Sequence, residues 1–195
     1  MNINTIIKVG TSVLRNIKLK LLRGSDYHCK WLYSCSPSTE IRIHKGGKLT
    51  IGQHLSTLRN VLVSVCPNAT LVIGDNVNIN TDCSIIAKNK ISIGNDVIFG
   101  PGCKIYDHDH DYTKTGKERR ESFVTGTVKV GNGVWFGANC IVLRGTVIGD
   151  NCVFGAGTII KGDYPDNTLV VQERAEKQKR ISFSKEEGSN NDREN

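Results

Sequence analysis

The 195-residue chain has no run of 18 or more apolar residues, which excludes an ordinary membrane-spanning helix. Its first residues lack an apolar core followed by a small-residue cleavage site. The expected address is therefore the cytoplasm, with the inner face of a membrane as an extension of it. Proline is scarce, 4 residues against 20 glycines, which suits many regular corners better than a helical bundle. Aromatic residues make up 6%, do not interleave with basic ones and form no binding motif, so nucleic acid is not an expected partner. The seven cysteines lack a zinc-site spacing, and no metal is expected. His28, His44 and His54 all precede the regular part of the sequence, leaving His108 and His110 alone within it.

What is present is a repeat. From residue 130 the chain reads VGNGVW, FGANCI, VLRGTV, IGDNCV and FGAGTI, with Ile160 and Lys161 opening a sixth unit. A large apolar residue opens every hexad, and Gly follows it in four of these five. A small or β-branched residue (Val134, Cys140, Thr146, Cys152, Thr158) stands four places after the opener. A period of six fits neither a helix nor continuous strand alternation, so it describes short strands separated by corners, three hexads to a triangular coil. Openers point inward, and the fifth position faces inward near a corner, where only a small side chain fits. Cys83, Cys103, Cys140 and Cys152 share that position and read as reduced, structural thiols.

The pattern is weaker from Glu40 to Val72, where Ile41/Ile43 and Leu49/Ile51 alternate as half-buried strands do. It is regular at Ile73, Ile79 and Ile85, slips by two at Ile91, and resumes at Ile93, Phe99 and Ile105. The next opener is Val130, so residues 107–126 form a polar excursion, read as a long structureless insertion of the kind that carries function. Residues 6–22 space Ile6, Val9, Val13, Ile17 and Leu21 helically with Lys and Arg between them. The expectation is an amphipathic helix packed over the open end of the solenoid, with peripheral membrane association behind it. Residues 1–72 carry ten Lys/Arg against two Asp/Glu, within a whole-chain charge of +7, and this basic part suits an anionic partner. The domain division is a cap region at 1–39, the β-helix at 40–171 and a charged tail at 172–195, its last ten residues read as disordered.

The hexads, of the form G-N/D-N-x-V followed by G-A-N/G, resemble those of the left-handed parallel β-helix acyltransferases. The implied fold is all-β, with a short N-terminal helical cap and a protruding loop. The stretch FGPGCKIYDHDH, residues 99–110, is similar to the galactoside and maltose O-acetyltransferases, in which such a coil runs into a loop beginning with a catalytic His. That resemblance puts His110 on the general base, with His108 one strand alternation away and Asp107 and Asp109 as orienting partners of the ring. It puts Asn80 near the acceptor and Trp135 in the wall of the acceptor or thioester pocket. It also implies acetyl-CoA as donor, with Gly137, Ala138, Gly155 and Ala156 against the pantetheine arm, Thr158 nearby and Lys161 at the nucleotide phosphates. The family's closing Thr-Lys-Asp run is here IKGD, and its G-x-P-A segment is VQERAE, both changes falling where the adenine end of coenzyme A would lie.

Imidazole suits the work, since an attacking alcohol must lose a proton and a group with an unperturbed pKa near ~6.5 accepts it at neutral pH. The expected function is acetyl transfer from acetyl-CoA to a sugar hydroxyl in bacterial capsule, O-antigen or exopolysaccharide synthesis. A sugar or glycan acceptor and a homotrimer with sites between subunits complete the expectation. The alternatives are N-acetylation of a nucleotide-linked amino sugar, a γ-carbonic-anhydrase-like zinc enzyme and a non-catalytic scaffold.

Overall fold

Every opener from Leu49 and Ile51 to Phe154 and Ile160 is buried, and each rests on its equivalent one coil away through parallel pairing. The computed structural model describes residues 3–30, 34–173, 175 and 177–180. Among these, three parallel sheets of seven, seven and six strands form the faces of a left-handed β-helix, and one short antiparallel pair stands apart. The chain visits the three faces in turn, so residues far apart in sequence become neighbours in register, as with Ile51, Ile73, Ile93, Val130 and Ile148. Inside the prism Phe136 stacks between Phe99 and Phe154, with ring centroids 4.9 and 5.4 Å apart.

The glycine of each hexad answers to coil spacing. A Cβ on Gly94 would stand 2.5 Å from the carbonyl oxygen of Gly131 in the next coil, closer than packing allows. The residue after it is Asp or Asn because its side-chain oxygen reaches the backbone N–H of the coil before. Asp75, Asn95, Asn132, Asp150 and Asp166 form one such ladder, accepting from Gln53, Asp75, Asn95, Asn132 and Asp150 at 2.7 to 2.9 Å. The next corner residue turns left-handed, at φ 57° for Asn76 and Asp96 and 56° for Asn151, a region that Asn and Asp tolerate.

Coil length explains where the repeat is legible. Stacked neighbours lie 22 residues apart in the early coils, then 20, then 18 beyond the hairpin, and 16 at the last turn. Only the spacing of 18 is three pure hexads; in earlier coils strands run to four residues where later ones have two, which blurs the pattern before Val72 and shifts it at Ile91. Solenoid strands begin at Tyr27–Cys29, paired with Lys48–Ile51, and at Ser34–Cys35, paired with Ser56–Thr57. The region 1–39 thus holds a helix and the first coil. At the other end, Gln172 donates to the Ile159 carbonyl and accepts from its N–H, imitating a further strand against that edge. The expected disorder of residues 186–195 lies outside the described residues.

The helix α1 (Ile3–Arg23) lies against the first coil, but with a different face from the one expected. Its Ser12 and Leu19 are buried against the coil, whereas Ile6, Val13, Ile17 and Leu21 are exposed. Its polar side satisfies the rim of the prism. Ser12 Oγ accepts from the Cys35 N–H at 2.9 Å, and Arg15 donates to the Ser36 and Pro37 carbonyls at 3.2 and 3.3 Å. No helix among the described residues is long and apolar enough to cross a membrane.

Phe136→Ala removes the middle ring of the stack, and the expected loss of stability is about 3–5 kcal/mol. Urea denaturation followed by circular dichroism measures it, and a change below ~1 kcal/mol would contradict a close-packed prism interior.

Candidate active site

The excursion at residues 107–126 leaves the prism after the strand Lys104–Tyr106 and returns before Val128–Val130, at one corner. It was expected to be structureless, and instead it is an ordered hairpin. His108–His110 pairs antiparallel with Phe123–Thr125, His110 opposite Phe123, and the helical turn α2 (Gly116–Glu121) closes the tip. The neck is tied by Gly126 N–H to the Asp107 carbonyl at 2.8 Å. Asp111 opens the tip turn by accepting from the Thr113 hydroxyl and N–H, which holds its carboxyl below the usual range. Antiparallel pairing between three-residue segments leaves no hexad trace, so periodicity missed it.

Neighbouring coils grip the hairpin from both sides. The Lys88 ammonium lies 3.5 Å from the centroid of the Phe123 ring, a cation–π contact with the preceding coil. Arg144, in the following coil, pairs with Asp109 at 2.6 Å. Phe123, Lys88 and Arg144 were not anticipated as parts of the site. Arg144 carries a signal in hindsight, as a large basic residue inside the hexad VLRGTV, yet nothing in sequence pairs it with the loop.

The two histidines have different surroundings. His108 is 13% exposed, lies edge-on to Tyr106 and Phe123, and its Nδ1 is 3.0 Å from Asp107 Oδ1. Asp107 is fully buried, and its two oxygens also accept from the Lys88 and Asn89 N–H groups at 2.8 Å each. It therefore fastens the corner as well as the His108 ring. His110 is exposed, its ring 4.4 Å from that of Phe123, and its Nδ1 lies 2.9 Å from the Arg119 carbonyl oxygen. A carbonyl only accepts, so Nδ1 carries the hydrogen and, in the neutral ring, Nε2 keeps its lone pair. Arg119 is itself pinned, donating from Nε to the Lys114 carbonyl at 2.6 Å. Of the expected orienting partners, Asp107 holds His108 and Asp109 holds Arg144; the backbone of Arg119 orients His110.

The remaining candidates occupy another edge of the prism. Ile79, Phe99, Phe136 and Phe154 stack in register, so the residues after them, Asn80, Gly100, Gly137 and Gly155, form one column at the corner between two faces. Asn80 Oδ1 accepts from Thr81 N–H at 2.8 Å. Ala138 is half-buried and Ala156 exposed beside their glycines. A Cβ on Gly137 would meet Ala156 N at 2.7 Å, so stacking alone requires glycine there, whereas at Gly155 the nearest atom would be 3.5 Å away. Packing within the chain thus leaves Gly155 unexplained, and the open backbone fits close approach by an extended ligand. Thr158 points into the prism, its hydroxyl donating to the Gly155 carbonyl at 2.6 Å, while Lys161 is exposed. Trp135 is 52% exposed on an outer face, between Ile98 and Val153.

Behind this column stand the thiols. Cys83, Cys103 and Cys140 aim Sγ at the carbonyls of Gly100, Gly137 and Gly155 at 3.1 to 3.2 Å. The Cys103 thiol is held far above its ordinary value by the flanking thiols of Cys140 and Cys83 and by burial. Such a sulfur is a packing atom. Among the described residues no three His, Cys, Asp or Glu side chains gather as a metal cluster. The hairpin corner and the Asn80 corner share no side-chain hydrogen bond or ring contact among the described residues.

Residues 127–162 match the bacterial transferase hexapeptide (six repeats). The chain is 26% identical to the putative lipopolysaccharide biosynthesis O-acetyl transferase WbbJ of Escherichia coli over 66% of its own length and 69% of the relative's. It is 27% identical to the galactoside O-acetyltransferase of Escherichia coli, over 83% and 79% of the two chains. Among solved structures, its fold is similar to that of a variant of the N-acyltransferase AntD from Bacillus cereus in complex with dTDP and coenzyme A, with TM-score 0.66, 18% identity and coverage of 86% and 89%. The stacked hexads thus build a left-handed β-helix, and in sequence and fold the chain is similar to the hexapeptide-repeat acetyltransferases.

Proposed function

We propose that the protein transfers an acetyl group from acetyl-CoA to a sugar hydroxyl in the synthesis of a bacterial surface polysaccharide, with His110 as general base. The observation that carries this reading is the Nδ1 bond of His110 to the Arg119 carbonyl, which leaves Nε2 as a basic nitrogen on an exposed, clamped hairpin. Bound acetyl-CoA would supply the thioester. His110 Nε2 takes the hydroxyl proton as the new C–O bond forms, and returns it to the sulfur as the C–S bond breaks. Asn80 orients the acceptor, and the corner of Gly155 and Ala156 lets the pantetheine arm lie against the backbone, with Lys161 toward the phosphates. The names of the sugar O-acetyltransferases that the chain resembles support the acceptor class.

His110→Ala is expected to lower acceptor-dependent thiol release by ~10²- to 10⁴-fold with an unchanged circular dichroism spectrum. A mutant that keeps the wild-type rate would remove His110 from the mechanism. Measured across glycan and amino-sugar acceptors, the same assay tests the second reading, N-acetylation of a nucleotide-linked amino sugar, which the fold likeness to AntD permits.

Gly155→Leu is expected to raise KM for acetyl-CoA by about tenfold or more, equivalent to roughly 1.4 kcal/mol of binding, and to leave the protein folded. Gly137→Leu, by contrast, is expected to disrupt stacking, as a lowered melting temperature. Equal effects on KM and folding at the two positions would sink the assignment of Gly155 to the donor.

The separation of the His110 and Asn80 corners supports a site shared between copies of a homotrimer. Mixing inactive His110→Ala and Asn80→Ala chains should then restore about one quarter of the sites, the random fraction for a cyclic interface needing one intact residue from each neighbour. Activity that stays at the level of the separate variants would place both residues in one subunit's site.

A further inference from the structure

We infer that α1 is a docking surface for an anionic lipid bilayer, lying in the plane of its headgroups. An amphipathic helix in a globular protein turns its apolar stripe to the core, and this one is turned the other way. Ile3, Ile6, Ile7, Val13, Leu14, Ile17 and Leu21 face outward along one side, with Leu14 70% and Leu21 82% exposed. The face against the prism buries Leu19 and is otherwise polar, fixed by Ser12 on Cys35 and Arg15 on Ser36 and Pro37. An outward apolar surface along a helix of 21 residues, about 30 Å at 1.5 Å per residue, is more than scattered surface leucines account for.

Charge selects the occupant. The helix carries Lys8, Arg15, Lys18, Lys20 and Arg23 and no Asp or Glu. At 100° per residue, Lys18 and Lys20 flank the two edges of the apolar stripe. Both are exposed, where their ammonium groups reach headgroup phosphates while the stripe enters the acyl boundary. A second copy of the chain packed stripe to stripe would instead bring Lys18 and Lys20 of one helix against those of the other, with no carboxylate on either helix to offset them. The bilayer supplies both what the stripe lacks, an apolar phase, and what its borders lack, anions. The inference does not depend on the acceptor or on His110.

Cosedimentation of the full chain with sucrose-loaded vesicles tests it. Wild type should pellet with vesicles of phosphatidylglycerol and phosphatidylethanolamine, and stay soluble with pure phosphatidylcholine. A Leu14→Glu/Leu21→Glu variant should lose at least tenfold in bound fraction, and Lys18→Glu/Lys20→Glu should lose binding most at low salt. Thiol release with a soluble acceptor should be unchanged in both, since neither pair touches the proposed site, and this separates failure here from failure of the acetyltransferase reading. Sedimentation velocity supplies the second readout. Wild type that ignores every vesicle, variants that bind as wild type does, or a Leu14→Glu/Leu21→Glu chain whose only change is a smaller assembly would each overturn the inference, the last by assigning the stripe to a second copy.

Discussion

The distance between adjacent paired strands governs this protein. Parallel strands stand about 4.8 Å apart, and every coil must repeat the backbone path of the one before it at that offset. From this follow the bare glycines, since a Cβ at Gly94 would strike the next coil, and the Asp and Asn ladder, since the corner N–H groups need an acceptor from the adjacent coil. The same constraint makes side chains stack on their own kind. Three phenylalanines and a file of thiols are what a column of equivalent positions holds when volume must be constant along the axis.

How much of this is legible in the sequence depends on coil length. Where stacked neighbours are 18 residues apart, openers, small fifth residues and corner Asn or Asp recur in phase, and the burial of Phe136, Ile148 and Cys152 follows from counting. In coils of 22 residues the same contacts exist, but two of the three strands carry two extra residues each and the phase is lost, so Leu49 and Ile51 are recognisable only as alternating strand residues. The first coil, opened by Tyr27 and Cys35, has no counterpart before it and so shows no repeat at all. His110 and Asn80 are visible because they interrupt a pattern. Arg119, Phe123, Lys88 and Arg144 are not, because they act through a backbone carbonyl, a ring face and two long side chains whose partners only the folded corner supplies.

That corner shows how an invariant scaffold accommodates reactive residues. A chain may leave the helix only where it can return to the same rung, and Asp107 and Gly126 close the neck at one such point. The buried carboxylate of Asp107 takes two backbone N–H groups and one imidazole, more acceptor duty than a turn residue ordinarily carries, so the base of the hairpin is as firm as the coil below it. Firmness matters for a general base, whose contribution depends on a lone pair held in one direction. The Lys88 and Arg144 grips act on the same hairpin from the coils before and after, so its orientation is set by the solenoid itself.

The N-terminal helix is the place where the needs of the edge prevail over those of the apolar side chains. A first coil has no coil before it, so one side of its strands offers N–H and C=O groups to nothing. Each buried one left unpaired costs about 1–3 kcal/mol, comparable to the roughly 1.5–3 kcal/mol from burying a leucine. Had the helix presented its apolar stripe inward, it would have covered those groups without pairing them. Presenting Ser12 and Arg15 pairs the Cys35 N–H and the Ser36 and Pro37 carbonyls. The stripe is turned outward as a consequence, and with acidic residues absent from the whole helix, the surface so created is apolar at its centre and cationic at its borders. One choice of helical face thus both ends the solenoid safely and leaves an apolar stripe on the exterior.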